Sequence, residues 1–136
     1  MKLQPDKFDV PTITGYGPGW VGLDGEKIYS SVVVGSRGER FEWPCQNIAH
    51  LGQEHLAPLV AAKPELVVLG SGSKLRFAHP SHAAALAAHG IGLETMDTAA
   101  ACRTFNILAG EGRHVLAALL IEPSPSPAPQ EQSSQV

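Results

Sequence analysis

The second half of the chain alternates between apolar runs and helix-forming segments, and this alternation restricts the possible folds more than any other feature. Residues 66–69 (LVVL) and 115–121 (VLAALLI) are continuous apolar runs, which are typical of buried strands. The segments between them predict, in order, a helix opened by Pro80 and closed by Gly90, a strand over residues 93–96, and a helix over residues 98–109 stopped by Gly110. This order indicates an α/β layer.

The first half predicts short strands joined by tight turns. Asp24-Gly25 favours a two-residue hairpin turn, because that turn needs positive φ angles that Asp and Gly tolerate, and residues 35–38 (GSRG) predict a second turn. A helix over residues 48–61 follows, with Pro58 at a position where proline can kink or shorten it. The expected strands cover residues 12–15, 20–23, 27–29, 32–34 and 39–42. We therefore expect antiparallel β structure beside the α/β layer.

Composition predicts one domain over residues 1–122 and a disordered tail over residues 123–136. The tail is mostly Pro, Ser, Gln and Ala, which cannot bury enough apolar surface to offset the entropy lost on ordering. The chain has a net charge of −3 and its ten Lys and Arg residues are scattered, which argues against a nucleic-acid partner. Its apolar runs are shorter than the ~20 residues of a membrane span, and residues 1–10 fit neither a signal nor a transit peptide, so we expect a cytoplasmic protein.

A glycine-rich turn follows the buried strand at residues 66–69, where α/β proteins place phosphate-binding turns. Residues 70–74 (GSGSK) break the Walker A pattern because Lys74 is flanked by Ser73 and Leu75, and Leu75 also occupies the place of the third glycine of a dinucleotide fingerprint. The sequence therefore favours a tight turn shaped by glycine. The alternative is a small anion held by the turn amides with help from Arg76.

Polar residues surround the start of the helix predicted at residues 98–109. Asp97 and Thr98 can accept hydrogen bonds from its first turn, so capping is favoured over catalysis. Arg103 and Asn106 lie on neighbouring stripes of the helix and are predicted to point at a shared partner. Cys102 lies where a helix N-terminus can favour a thiolate, but its alanine neighbours favour a buried thiol instead.

Two other patterns leave alternatives open. His79 and His82 are spaced for one helical turn but lack a third ligand, so we predict surface or capping histidines and no metal site. Residues 15–20 (GYGPGW) place two aromatics among glycines, which fits either a turn pinned by aromatic packing or the rim of a ligand or protein contact. The two cysteines form no disulfide or zinc pattern, and no cofactor is expected.

The order of these segments resembles the domain of unknown function family 498, the Mth-like domain family. The resemblance covers residues 8–121 and is carried by Gly70-Ser71-Gly72 with Arg76-Phe77, residues 90–92 (GIG), 94–98 (ETMDT), 100–102 (AAC), 104–106 (TFN) and 111–113 (EGR). It implies a three-layer α/β domain with a central mixed β-sheet flanked by helices, plus antiparallel β structure from the N-terminal half.

The resemblance also implies a function, because mitochondrial members of the family act in complex I assembly rather than as enzymes. We therefore expect a non-enzymatic interaction protein that binds a protein partner and no cofactor. It is expected to assist assembly of a respiratory or other membrane-associated complex. The alternative is a small anionic-ligand-binding domain or an undiscovered enzyme that uses the Gly70–Gly72 turn with Arg103 and Asn106. The predicted binding residues are Gly70, Ser71, Gly72, Arg76, Asp97, Thr98, Cys102, Arg103 and Asn106.

Overall fold

The computed structural model describes residues 13–123, so the predicted tail lies outside the described residues except for Pro123. The strands are β1 (Ile13–Gly17), β2 (Trp20–Leu23), β3 (Glu26–Ile28), β4 (Val32–Gly35), β5 (Arg40–Glu42), β6 (Leu66–Gly70), β7 (Gly92–Met96) and β8 (Val115–Leu119). The α-helices are α1 (Gln53–Ala62), α2 (Pro80–Ala87) and α3 (Thr98–Gly110). In the part of the chain that is described, no helix is long and apolar enough to cross a membrane.

Five strands form a mixed central sheet in the order β5-β4-β8-β6-β7. Strand β6 runs parallel to both of its neighbours, with Leu66 opposite Gly92 on one side and Val115 on the other. Strand β4 is antiparallel to β5 and β8. The other three strands form an antiparallel sheet in the order β1-β2-β3. This architecture confirms the predicted three-layer α/β domain with antiparallel β structure from the N-terminal half.

The apolar runs supply a core on each face of the central sheet, because successive side chains of a strand point to opposite faces. On one face, alternate residues of β4, β6 and β8 pack with Phe105 of α3 and with Val21 and Leu23 of β2. On the other face, the intervening residues pack with Leu59 of α1 and Leu86 of α2. Burial on both faces explains why these three strands read as continuous apolar runs rather than alternating ones.

The hairpin turns follow their sequence signals. Asp24 and Gly25 have φ angles of 51° and 89° and connect β2 to β3, with Leu23 opposite Glu26. Gly38, at the end of the turn between β4 and β5, has a φ of 99°. Both turns therefore form where their Asp-Gly and Gly-rich sequences predict them.

The prediction of one continuous helix over residues 48–61 is wrong, because the structure has two separate helices there. A 3-10 helix over Ile48–His50 is separated from α1 by Leu51 and Gly52, whose backbones are extended. The Nδ1 atom of His55 accepts a hydrogen bond from the Gly52 amide at 2.9 Å and so caps a new helix start. Pro58 lies inside α1 without ending it.

The end of α3 also differs from the prediction. Gly110 is the last residue of the helix rather than its stop signal, and the left-handed residue is Gly112, with a φ of 82°. The Gly112 amide donates to the carbonyl of Ala109 at 3.1 Å, which satisfies one of the helix's terminal acceptors. The chain then turns into β8.

Candidate functional site

The candidate site lies at the carboxyl end of the parallel strands, where β6 ends against the start of α3. A Cβ atom added to Gly70 would lie 2.9 Å from the Cα and the Oγ1 of Thr98, so only glycine allows this approach of strand and helix. The Ser71 amide donates to the carbonyl of Met96 at 2.8 Å, and Asp97 caps α3 by accepting from the Ala100 amide at 2.8 Å. These contacts fix the turn after β6 directly beside the helix N-terminus.

Thr98 connects three segments at this end of the sheet. Its hydroxyl accepts a hydrogen bond from the Gly72 amide at 2.9 Å and donates one to the carbonyl of Leu120 at 2.8 Å. Its own amide donates to the carbonyl of Gly72 at 2.9 Å. Thr98 therefore joins the glycine turn, the helix start and the chain after β8.

Glu122 closes the turn from the other side. One of its carboxylate oxygens accepts hydrogen bonds from the amide and hydroxyl of Ser73, at 3.2 and 3.0 Å, and the other accepts from the Arg76 guanidinium at 3.0 Å. Burial raises the pKa of Glu122, but these hydrogen bonds outweigh burial and leave the pKa below its ordinary value. Glu122 is therefore ionised at neutral pH, and it holds the turn to the chain after β8.

These segments surround an open cavity of about 580 Å³, which we call the α3 cleft. Its walls are the turn between β1 and β2 (residues 16–20), Gly72 and Ser73, the start of α3 (residues 97–99) and the chain after β8 (residues 120–123). This volume lies within the range of about 300–1,000 Å³ that is typical of small-molecule sites. Three of the predicted site residues, Gly72, Asp97 and Thr98, line it directly.

Two aromatic side chains from the β1–β2 hairpin form one wall of the cleft. Tyr16 is 40% exposed, and Trp20 is half-buried next to Gly17, where a Cβ atom would collide with the indole ring. The ammonium group of Lys27 lies 4.6 Å from the centroid of the Trp20 ring, within the range of a cation–π contact. The hairpin is thus both a turn packed around Trp20 and a rim of the cleft.

Arg103 and Asn106 both contact β1, as their neighbouring stripes on α3 allow, but they contact different atoms. The Arg103 guanidinium donates to the hydroxyl of Tyr16 at 2.7 Å and stacks beside its ring. The Asn106 amide group donates to the carbonyl of Ile13 at 2.8 Å and accepts from its amide at 3.4 Å. Arg103 therefore supports the aromatic rim, whereas Asn106 anchors the start of β1 to α3.

The remaining predicted site residues lie behind or beside the cleft. Cys102 is 1% exposed in the core between α3 and the central sheet, where burial raises the pKa of its thiol to about 12. It is therefore protonated at neutral pH and does not reach the cleft surface. The hydroxyl of Ser71 is also turned inward, donating to the carbonyl of Lys74 and accepting from the amide of Arg76.

Sequence reasoning did not identify Glu122 as a site residue, and it gave Tyr16 and Trp20 as the rim of a ligand or protein contact only as one of two alternatives. The signal for Glu122 is its position directly after β8, because β6 and β8 are parallel and their ends meet at the same edge of the sheet. The aromatics among glycines at residues 15–20 left both alternatives open, since only the packing of β1 against α3 brings them to this edge. Within residues 13–123, no group of three His, Cys, Asp or Glu side chains is arranged to hold a metal ion, and the Nδ1 atom of His79 instead accepts from the Ser81 amide at the start of α2.

Several curated relatives with similar sequences are named as assembly factors. The mouse NADH dehydrogenase [ubiquinone] 1 alpha subcomplex assembly factor 3 is 46% identical over 59 residues, which are 43% of this chain and 32% of the mouse protein. The zebrafish protein of the same name is 29% identical over 126 residues, which are 91% of this chain and 72% of the relative. The chain thus aligns with only about a third of the mouse protein and most of the zebrafish one.

Solved structures show the same fold. A solution structure of a Mth938-like domain from Bordetella pertussis superimposes with a TM-score of 0.76 at 29% identity, over 92% of this chain and 96% of that one. The model of the family described as protein of unknown function DUF498/DUF598 matches residues 13–120, which include every strand and helix of the fold. The chain therefore belongs to the DUF498/DUF598 family, as its resemblance to the Mth-like domain family implies.

Proposed function

We propose that the chain is a non-enzymatic interaction protein of the cytoplasm that assists assembly of a respiratory or other membrane-associated complex, and that it binds its protein partner at the α3 cleft. The assembly role is supported by the names of the mouse and zebrafish relatives. The cleft is supported as the binding surface by its aromatic wall, because aromatic and arginine side chains are enriched at protein interfaces. Tyr16 with Arg103 beside it, and Trp20, supply this chemistry.

The observation that carries the proposal is the arrangement of polar groups at the cleft. Thr98 is bonded to the Gly72 amide and the Leu120 carbonyl, and Glu122 is bonded to Ser73 and Arg76. General acid–base or nucleophilic chemistry needs a group aimed at the substrate with a pKa suited to proton transfer. Here the bonded polar groups form a rigid frame for the aromatic rim, which favours recognition over catalysis.

A variant pair tests the binding surface. Ala99→Arg places a long charged side chain in the cleft, and Ala57→Arg makes the same change at an exposed position of α1 on the opposite face of the sheet. We expect the tagged wild-type protein and Ala57→Arg to recover subunits of a respiratory or other membrane-associated complex in native affinity purification. Ala99→Arg should recover much less at an equal melting temperature. Recovery of no such subunit by the wild type, or equal recovery by both variants, would contradict the proposal.

A substitution at Asp97 distinguishes the effect of its negative charge on partner binding from its role as the cap of α3. Asn is as good a helix cap as Asp, so Asp97→Asn is expected to keep the stability of α3 while removing one negative charge from the cleft. Lower recovery of the partner by Asp97→Asn would indicate that the partner presents a basic group to the cleft. Unchanged recovery would leave the apolar wall as the source of binding.

The volume of the cleft favours a second candidate, a domain that binds a small anionic ligand. The amides of Ser71, Gly72 and Ser73 already donate to protein acceptors, so an anion would have to be held by other groups, and Arg103 is a cation that contacts the aromatic rim at Tyr16. Ligand at 100 times its dissociation constant should stabilise the fold by about 2.7 kcal/mol. A thermal-shift panel of nucleotides, phosphates and carboxylates tests this candidate, and a shift that survives Arg103→Ala would exclude Arg103 as the anion-binding group.

A further inference from the structure

We propose that the outer edge of β7 binds an extended segment of the protein partner as an added strand, with a lysine or arginine of that segment opposite Glu94. That the segment belongs to a partner in complex assembly rests on the proposed function, whereas strand addition itself does not. An edge strand offers backbone donors and acceptors that an extended chain can satisfy by pairing with it. Strand β7 forms one edge of the five-stranded sheet, and among residues 13–123 it pairs with β6 alone.

The hydrogen bonds of β7 show which of its backbone groups are open. The Gly92 amide donates to the carbonyl of the residue just before β6 at 3.0 Å, and the Met96 carbonyl accepts from the amide of the residue just after β6 at 2.8 Å. Alternate residues of a parallel strand turn both backbone groups to the same side, so Gly92, Glu94 and Met96 face β6. Leu93 and Thr95 therefore turn their amides and carbonyls outward, where an added strand can bond to them.

The other three edge strands are poorer sites for an added strand. Strands β3 and β5 have three residues each, two of them charged, and an ion pair between Arg40 and Glu26 at 3.2 Å joins them. Short, charged edges resist pairing with another chain. At β1, Asn106 already occupies the backbone of Ile13 with two hydrogen bonds. Strand β7 differs, because it has five residues and Glu94 is its only charged side chain.

Glu94 defines the chemistry of the segment that β7 accepts. Its side chain shares a face of the sheet with Met96, which packs on the α3 side, whereas Leu93 packs on the side of α1 and α2. Glu94 is exposed and forms no ion pair with the described residues. In an antiparallel pair, opposite charges that lie directly across from each other stabilise the pairing, and like charges destabilise it. A basic side chain opposite Glu94 is therefore favoured.

The same carboxylate argues against a second copy of the chain as the occupant. Two β7 strands that pair Leu93 with Thr95 of the other copy use all the outward backbone groups, but this register places Glu94 directly opposite Glu94 of the second copy. The edge thus disfavours self-association and accepts a basic strand. It also lies beside the α3 cleft, because Asp97 follows β7 directly and lines the cleft. One partner can therefore contact both surfaces.

Proton–nitrogen NMR of the full-length chain tests strand addition without a partner. The probes are two heptapeptides with blocked ends, TVTKTVT and TVTETVT, which differ only in the charge of the central residue. We expect millimolar binding of the lysine peptide, because a short peptide loses its conformational freedom on pairing. The amide signals of Leu93 and Thr95 should shift, and the affinity for the glutamate peptide should be about fivefold lower. No shift with either peptide, or equal affinity for the two, would overturn the proposal.

Two variants localise the binding. Glu94→Lys should reverse the preference, so that the glutamate peptide binds about fivefold better than the lysine peptide. Thr95→Pro should abolish binding of both peptides, because it removes an outward amide, and edge strands tolerate proline at such a position. If Thr95→Pro lowers the melting temperature, the reversal by Glu94→Lys decides the test, since Glu94 is exposed. An unchanged preference in Glu94→Lys would exclude this edge as the binding site.

Hydrogen exchange of the free chain provides an independent test. The outward amides of Leu93 and Thr95 should exchange faster than the amide of Glu94, which is bonded to β6. Slow exchange of both outward amides in the free monomer would show that the edge is already occupied, and it would overturn the proposal.

These tests can fail independently of the proposed function. Partner recovery that is sensitive to Ala99→Arg, without peptide binding at β7, overturns strand addition alone. Peptide binding that is reversed by Glu94→Lys, without any recovered complex subunit, overturns the assembly role alone. If both hold, Glu94→Lys should reduce partner recovery at an equal melting temperature.

Discussion

The two ends of the parallel strands carry similar polar clusters, and the α3 cleft lies at the carboxyl end. At the carboxyl end, Thr98 and Glu122 join the glycine turn to α3 and to the chain after β8, beside the α3 cleft. At the amino end, the buried imidazole of His114 bonds to Glu39 at 2.6 Å, and Arg113 pairs with Glu65 at 3.4 Å. Because polar clusters occur at both strand ends, such a cluster does not by itself identify a site, and the candidate site rests on the cleft.

The largest effect is expected at the carboxyl end, from the contact of β6 with α3. Gly70→Ala places a methyl group against the backbone of Thr98, so the free energy of unfolding should fall by about 2–3 kcal/mol, as in other overpacked sites. Gly110→Ala is the matched control, because a Cβ atom there meets nothing within 4 Å. Urea unfolding of both variants measures the difference. Equal stability would mean that strand and helix can separate at little cost.

The next largest effect is expected at the amino end, where Glu39 holds His114. Glu39→Gln removes a charge-assisted hydrogen bond to a buried imidazole and should lower the free energy of unfolding by about 2 kcal/mol. Glu122→Gln, at the other end, should cost less than about 1 kcal/mol, because its partner Arg76 is nearly half exposed. Partner recovery should be unchanged in Glu39→Gln. Loss of partner binding at equal melting temperature would move the functional surface to the amino end.

Both carboxylates also predict how stability depends on pH. Burial raises the pKa of Glu39, but hydrogen bonds from His114 and from the amides of Glu39 and Arg37 leave it below the reference value of 4.5, and Glu122 is lowered in the same direction. A carboxyl whose pKa is lower in the folded state contributes stability above its unfolded pKa, and this is lost as pH falls through the folded pKa. Stability should therefore fall below pH 4.5, and by less in Glu39→Gln than in wild type.

A smaller effect is expected at the cap of α3. Asp97→Ala removes the acceptor of the Ala100 amide and should cost about 1 kcal/mol, whereas Asp97→Asn keeps a capping side chain and should cost little. Thermal unfolding monitored by circular dichroism compares them. If both variants lose the same stability, the negative charge rather than the hydrogen bond supports the helix start.

The smallest effect on stability is expected for substitutions of exposed arginines. These variants best show which end of the parallel strands binds the partner. Arg103→Ala removes an exposed contact with Tyr16, and Arg113→Ala removes an exposed ion pair with Glu65; each should cost about 0.5 kcal/mol or less. Only Arg103→Ala should weaken partner recovery, because only Arg103 supports the cleft rim. Equal recovery by the two variants would remove Arg103 from the binding surface.

The local elements were largely predictable because they depend on near neighbours in sequence. Continuous apolar runs predicted β6 and β8, and Asp24-Gly25 predicted its hairpin, since burial and positive φ leave direct marks on residue type. The helix predicted at residues 48–61 failed at Gly52, because the side chain that caps the second helix comes from His55 inside the presumed helix. An apolar pattern with helical spacing does not reveal that a side chain within it caps a new helix start.

The site was predictable only in part. Asp97, Thr98 and Gly72 were predicted because their types suit a helix cap and a turn beside a strand end; they line the cleft, and their role in binding stays a prediction. Asn106 and Cys102 were predicted from the same helix, yet one anchors β1 and the other lies in the core. Helical spacing assigns residues to stripes, but it does not say which stripe faces a neighbouring strand.

The sequence by itself determined the α/β class, the strands and the Asp97 cap of α3, because each of these depends on residue types within a few positions of one another, and it determined the family through the order of its motifs along the chain. Tertiary structure alone decided that residues 16–20, 97–99 and 120–123 surround one cleft, since these segments are far apart in the chain and meet through β1 packing on α3 and the hydrogen bond of Thr98 to Leu120. It also decided that Glu122 is held by Ser73 and Arg76. The sequence shows that a charged residue follows the apolar strand, but the hydrogen-bond partners of its carboxylate depend on which other strand ends lie beside it.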